Sequence, residues 1–183
     1  MTLQRFEQEQ PMQADAFIAA MAFVGRRSGN LIFWSSTNGS GKTHLATAIC
    51  NQLLQEYKWS CRFAGTYDLF RAIEARWDNP ENYQESYSDL VREAVRCDLL
   101  VLDDIGRTRK FRKEFDEILD GRHQRGKPTI ITLNAERVAV TDREIVGVSE
   151  YIGVAASDRL CDTSVGGLVI CEMSGPSWRR RKR

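Results

Sequence analysis

The 183-residue chain is 42% hydrophobic and 28% charged, the composition of one soluble globular domain long enough to bury a core. Its net charge of +1 excludes a generally basic, DNA-coating protein: the five cations at 179–183 contribute +5, the rest of the chain carries −4, and any nucleic-acid contact must be local. Five widely spaced cysteines with no two-residue gap exclude a zinc knuckle or Cys-x-x-Cys redox site, and no apolar run approaches the roughly 20 residues that span a bilayer.

In chain order, residues 1–10 are polar and lack the charge-then-apolar order of a signal peptide, so a cytoplasmic protein with free, mostly buried thiols is expected. Pro11–Arg26 reads as a helix with an apolar stripe of Ala14, Phe17, Ile18, Met21, Ala22 and Val24 or Gly25. Leu31–Trp34 is a buried-strand candidate. A glycine loop and a helix from Lys42 to about Tyr57 follow, with Leu45, Ala48, Ile49, Leu53 and Leu54 facing inward. Ser60–Ala64 is a second strand, Tyr67–Trp77 an amphipathic helix, Asp78–Glu85 a polar break and Ser88–Val95 a helix. Leu99–Leu102 is the strongest strand, ended by Asp103-Asp104. Glu114–Arg125 is a helix closed by Gly126-Lys127-Pro128, and Thr129–Leu133 is another strand. A helical stretch ends near Leu160, and Leu168–Glu172 is the last strand. Five apolar strands alternating with helices predict an α/β fold with a five-stranded parallel sheet covered on both faces. Ligands of such sheets bind at the carboxyl ends of the strands, so the residues just after the strands are the ones to question.

After the first strand, Ser36-Thr37-Asn38-Gly39-Ser40-Gly41-Lys42-Thr43 matches G-x-x-x-x-G-K-[ST] except at its first position. Asn38, Gly39, Ser40 and Gly41 would wrap phosphates with backbone N–H groups, helped by the positive end of the following helix. Lys42 would reach the β- and γ-phosphates of ATP, and Thr43 would hold Mg²⁺ through its hydroxyl. Ser36 is small enough to be tolerated with some loss of affinity.

Magnesium needs carboxylate help from a nearby strand end. Asp103 is the expected metal-shell ligand, and Asp104 is placed to orient or deprotonate an attacking water. Aspartate is one methylene shorter than the glutamate many ATPases use, so slow hydrolysis is expected. Asn134, after Thr129–Leu133, can reach the γ-phosphate or the water; after a lone strand it would read as a turn residue. Asp103-Asp104-Ile105-Gly106 also fits D-x-x-G, but no Asn-Lys-x-Asp guanine-reading motif accompanies it, and the chain lacks the length of a two-lobed helicase.

The stretches GSGKTHLATAICNQLL, DLLVLDDIG, GKPTIITLN and SDRL…GPSWR together resemble the DnaC/IstB group of AAA+ ATPases, over roughly residues 3–179. The resemblance implies a P-loop AAA+ core without a separate helical lid, head-to-tail self-association driven by ATP, and an arginine finger at Arg159, acting in the neighbour's site. It implies a domain plan of an N-terminal segment and helix (1–30), an ATPase core (31–174) and a basic tail (175–183). Loaders of this group carry a separate N-terminal domain that grips the helicase; about 30 residues precede the first strand here.

The function this implies is an ATP-dependent switch in DNA replication that binds single-stranded DNA and acts on a replicative helicase. The alternatives are a transposition helper assembling on duplex DNA, and a non-hydrolysing regulator that captures a helicase. Two local patches could meet nucleic acid: Arg107, Arg109, Lys110, Arg112 and Lys113, and the tail 179–183. Trp77, Tyr83 and Tyr87 could stack bases. His44 and His123 lie on helices without clustered ligands and are not read as a metal site.

Overall fold

The computed structural model describes residues 3, 11–78, 81, 86–107, 109–142 and 144–175. The N-terminal run other than Leu3, Tyr83, most of the expected polar break and the basic tail lie outside them. Five parallel strands, β1 (Asn30–Ser35), β2 (Cys61–Gly65), β3 (Leu99–Asp103), β4 (Thr129–Asn134) and β7 (Leu168–Glu172), form one sheet in the order β2-β3-β4-β1-β7. A short antiparallel pair, β5 (Ala139–Val140) and β6 (Ile145–Val146), was not foreseen. Its strands are two residues each, too short for any period to register.

The central strands are buried on both faces, which is why they read as unbroken apolar runs. Alternate residues of each strand serve opposite sides. Leu31, Phe33, Leu99, Val101 and Ile130 pack against α1 (Pro11–Arg26) and α2 (Lys42–Tyr57). Ile32, Trp34, Leu100, Leu102, Ile131 and Leu133 share the second core with α3 (Thr66–Asp78), α4 (Tyr87–Arg96), α5 (Arg112–His123), α6 (Ser149–Ile152) and α7 (Val154–Cys161). The last two helices divide the helical stretch expected before Leu160; the break is at Gly153, with φ of 90°.

Only part of the expected α1 stripe faces inward: Val24 is buried and Phe17 packs against the core, but the centre of the inward face is shifted. Gln13, Ala16, Ala20, Phe23 and Val24 are buried, whereas Ile18 is 64% and Met21 43% exposed. Small Ala16 and Ala20 let the helix sit close, and Gln13 is drawn in because its Nε2 donates to the Ser40 carbonyl at 3.4 Å. Leu54, expected inward on α2, is exposed.

The amino end of the sheet is tied by Arg122 of α5, fully buried at 1% exposure. Its guanidinium donates to the carbonyls of Ala94 (2.6 Å) and Cys97 (3.0 Å), to Pro128 O and to Thr129 Oγ1 (3.0 Å), joining the end of α4 to the starts of β3 and β4. Asn30 adds a second tie, donating to Leu160 O at 3.0 Å and accepting from the Thr129 N–H at 2.9 Å. All five cysteines are free thiols. No helix among the described residues is long and apolar enough to cross a membrane.

Candidate nucleotide site

Strand order decides what meets at the carboxyl end. β1 lies beside β4 in a register that sets Ser35 against Asn134, and β4 lies beside β3, with Leu102 against Ile131. The loop after β1, the acidic pair after β3 and Asn134 therefore converge although they are far apart in sequence.

Buried Ser35 starts the loop by folding it back: its Oγ donates to Thr37 O at 2.9 Å and accepts the Thr37 N–H at 3.0 Å. Thr37 Oγ1 in turn donates to Gly175 O at 2.9 Å. Ser36 is exposed and is not among the residues with positive φ, so its position makes no demand for glycine. Gly39 and Gly41 do make it, with φ of 80° and 100°. Gly41 is the N-cap of the 16-residue α2, which aims its N-terminal end at the loop.

Lys42 is buried, and its Nζ donates to Asn134 Oδ1 at 2.8 Å, to Ser40 Oγ at 3.2 Å and to Thr37 O at 3.3 Å. Thr43 Oγ1 donates to Asp103 Oδ1 at 2.9 Å. Asn134 links the two halves, its Nδ2 donating to Asp104 Oδ1 at 3.4 Å. Asp104 adopts φ of 59°, a left-handed conformation that aspartate tolerates better than most residues. Burial lowers the His44 imidazole below its ordinary value in the first turn of α2.

Two participants were not singled out for these roles. Thr132 Oγ1 donates to Asp103 Oδ1 at 2.6 Å and accepts the Asp104 N–H at 3.0 Å. Arg107, expected in a nucleic-acid patch, donates through Nε to Asp104 Oδ2 at 2.7 Å, and that carboxylate raises the guanidinium pKa. The one signal for Thr132 is its place two residues before Asn134, among the apolar Ile130, Ile131 and Leu133. Arg107 lies three residues beyond Asp104, within reach once Ile105–Arg107 forms a 3₁₀ turn.

The structure does not bring Arg159 to these residues. Its guanidinium pairs with Asp116 at 2.5 Å and Asp120 at 2.7 Å on α5. Three more cations of the 107–113 patch are engaged as well: Arg109 with Glu150 at 2.6 Å, Lys110 with Glu74, and Arg112 with Glu150 O at 2.7 Å. Among the described residues no three His, Cys, Asp or Glu side chains form a metal cluster.

The donor set suits a phosphate chain and a hard cation. Left-handed glycines, a helix N-terminus and a lysine face the same loop, and the Thr43 hydroxyl and Asp103 carboxylate supply oxygen ligands of the kind Mg²⁺ takes.

Fold and site together define a P-loop AAA+ nucleotide-binding core. The chain belongs to the family of IstB-like ATP binding proteins, which matches residues 3–183. It is 31% identical over 134 residues to the replicative helicase loader DnaC of Escherichia coli (strain K12), covering 70% of this chain and 53% of that protein. A shorter match, 35% over 81 residues, is to the uncharacterized protein YdaV of the same strain, covering 44% of this chain and 31% of that one. The chain thus spans about half the length, or less, of the curated relatives it matches. The fold is shared with a crystal structure of the DnaC helicase loader (TM-score 0.73, 22% identity, 93% of this chain and 96% of that one). It is also shared with AMPPCP-bound DnaA from Aquifex aeolicus (TM-score 0.66, 24% identity, 93% and 50%).

Proposed function

We propose that the chain is an ATP-dependent switch in DNA replication, a helicase-loader-like ATPase that binds ATP with Mg²⁺ and single-stranded DNA and acts on a replicative helicase. The observation that carries this is the continuous hydrogen-bonded path Lys42–Asn134–Asp104 beside Thr43–Asp103, drawn from three strand ends onto one loop. The similarity to DnaC supports the choice of client.

In this reading, Asn38 to Gly41 hold the phosphates and Lys42 turns from its loop oxygens to the β- and γ-phosphates. Thr43 and Asp103 hold Mg²⁺, which when bound would neutralise charge developing on the phosphates. Asp104 takes the proton of the attacking water, and Asn134 orients that water or the γ-phosphate. Arg107 occupies one oxygen of Asp104, and the shorter aspartate must reach further than glutamate; both support slow basal hydrolysis. Arg159 serves the site of a head-to-tail neighbour after leaving Asp116 and Asp120. Since Arg107, Arg109, Lys110 and Arg112 already meet protein partners, single-stranded DNA falls to the exposed aromatic surface, where Trp77 is 68% exposed and packs edge-on against Tyr87, with 5.2 Å between ring centroids.

The test is ATP binding and turnover, with and without single-stranded DNA, in wild type, Lys42→Ala and Arg159→Ala. Lys42→Ala should weaken ATP roughly 10- to 100-fold, the worth of hydrogen bonds to a charged group. Arg159→Ala should bind ATP but lose DNA-stimulated turnover. Unchanged affinity in Lys42→Ala would remove the site assignment; binding without turnover in any condition would favour the helicase-capturing regulator. The IstB-like family match favours a second reading, a transposition helper, which predicts preference for duplex over single-stranded DNA.

A further inference from the structure

We propose that Thr132 is a positioning residue for hydrolysis, its one hydroxyl fixing the two acidic residues after β3 relative to each other and to the loop. The inference rests on the ATPase reading above and adds to it a residue that touches neither phosphate nor metal.

Thr132 is 1% exposed, between Ile131 and Leu133 on β4. Packing alone would accept valine there, since every neighbour along the strand from Ile130 to Leu133 is apolar and fully buried. The hydroxyl is what valine lacks, and both of its bonds are directional. An ionised carboxylate only accepts, so the Thr132 proton must point to Asp103 Oδ1, at 2.6 Å. That leaves a lone pair for the Asp104 N–H, at 3.0 Å.

The first bond holds the same Asp103 oxygen that accepts from Thr43 Oγ1, so the carboxylate is gripped from the loop side and the sheet side. The second pins the amide of a residue at φ of 59°, where the backbone has turned out of strand geometry. Pinning that amide aims the Asp104 carboxylate at Asn134. One hydroxyl thus couples the metal-binding carboxylate to the water-directing one.

Thr132→Val and Thr132→Ser separate positioning from packing. Three readouts are needed: amide exchange at Asp104 in the nucleotide-free protein, the gain in affinity for a non-hydrolysable ATP analogue on adding Mg²⁺ over EDTA, and turnover. Thr132→Val should speed Asp104 exchange, keep affinity in EDTA within about 2-fold and cut the Mg²⁺ gain and turnover by roughly 10- to 100-fold, as loss of outer-shell partners does. Thr132→Ser should restore all three. Wild-type exchange and Mg²⁺ gain in Thr132→Val would overturn the proposal. So would equal loss in both variants together with a lower melting temperature, which would make Thr132 a packing residue. Failure of wild type itself to bind the analogue would overturn the ATPase reading and this inference with it, a result distinct from wild-type behaviour in the valine variant.

Discussion

The two ends of the sheet carry polar networks of opposite character. At the amino end Arg122 is enclosed and its partners are mostly backbone carbonyls, fixed by the helix and strands that bear them. At the carboxyl end the partners are mostly side chains, several of them charged, and these are shared: Asn134 between Lys42 and Asp104, Asp104 between Asn134 and Arg107, Asp103 between Thr43 and Thr132. A saturated network of backbone acceptors can only hold the fold. A network of rotatable, partly exposed charged groups can exchange partners for a ligand at small cost. The contrast teaches that burial of charge alone does not mark a working site; replaceable partners do.

The largest effect should come from the working end. Asp104→Asn keeps a side chain that tolerates the left-handed backbone but removes the base. Turnover should fall roughly 10²- to 10⁴-fold with ATP affinity and melting temperature unchanged. A matching loss of stability would mean that the two ends are not separable. Arg122→Leu should do the reverse. The carbonyls of Ala94, Cys97 and Pro128 would each lose a donor, at about 1–3 kcal/mol apiece, so urea denaturation should report a loss of at least about 3 kcal/mol. ATP affinity of the folded fraction should not change.

A smaller effect is expected with acid. Asp98, at the amino end, accepts from Lys127 Nζ at 2.6 Å and from the Ser60 N–H at 2.9 Å, which together hold its carboxyl at about 2, below the ordinary 3.8. Because the folded-state value is depressed, this stabilisation is complete above about pH 4 and is lost as pH falls toward 2. Asp98→Asn should flatten that part of the stability–pH curve, measured by denaturant midpoints. The smallest effect is at Arg107. Its pair with Asp104 is screened by solvent, so Arg107→Ala should raise basal turnover by no more than roughly 5-fold. A fall in turnover would show that Arg107 assists the chemistry instead of restraining the base.

How much of this was legible differs from residue to residue. Gly39, Gly41, Lys42 and Thr43 are contiguous, and the strand before and helix after them are local, so loop and context could be read together. Asp103, Asp104 and Asn134 were reachable because each ends an apolar run. Ser36 drew attention as a departure from the motif, yet its backbone needs no glycine. Gln13 and Ile18 show where reading stops. α1 is apolar on two sides, so a 3.6-residue period fits either, and Ala14, Phe17, Ile18, Met21, Ala22 and Val24 or Gly25 form the more obvious stripe. The choice went to the face whose alanines permit close packing and whose glutamine meets the loop.

The sequence by itself determined the elements and the chemistry at their ends, because helix, strand and glycine loop are set by residues a few positions apart. Tertiary structure alone decided which ends meet. Parallel strands pair across dozens of residues, and the order β2-β3-β4-β1-β7 brings Asn134 between the loop and the acidic pair. It also decided the partners of Thr132, Arg107, Arg122 and Arg159, because a hydrogen bond or ion pair depends on distances of a few ångströms that local pattern does not encode.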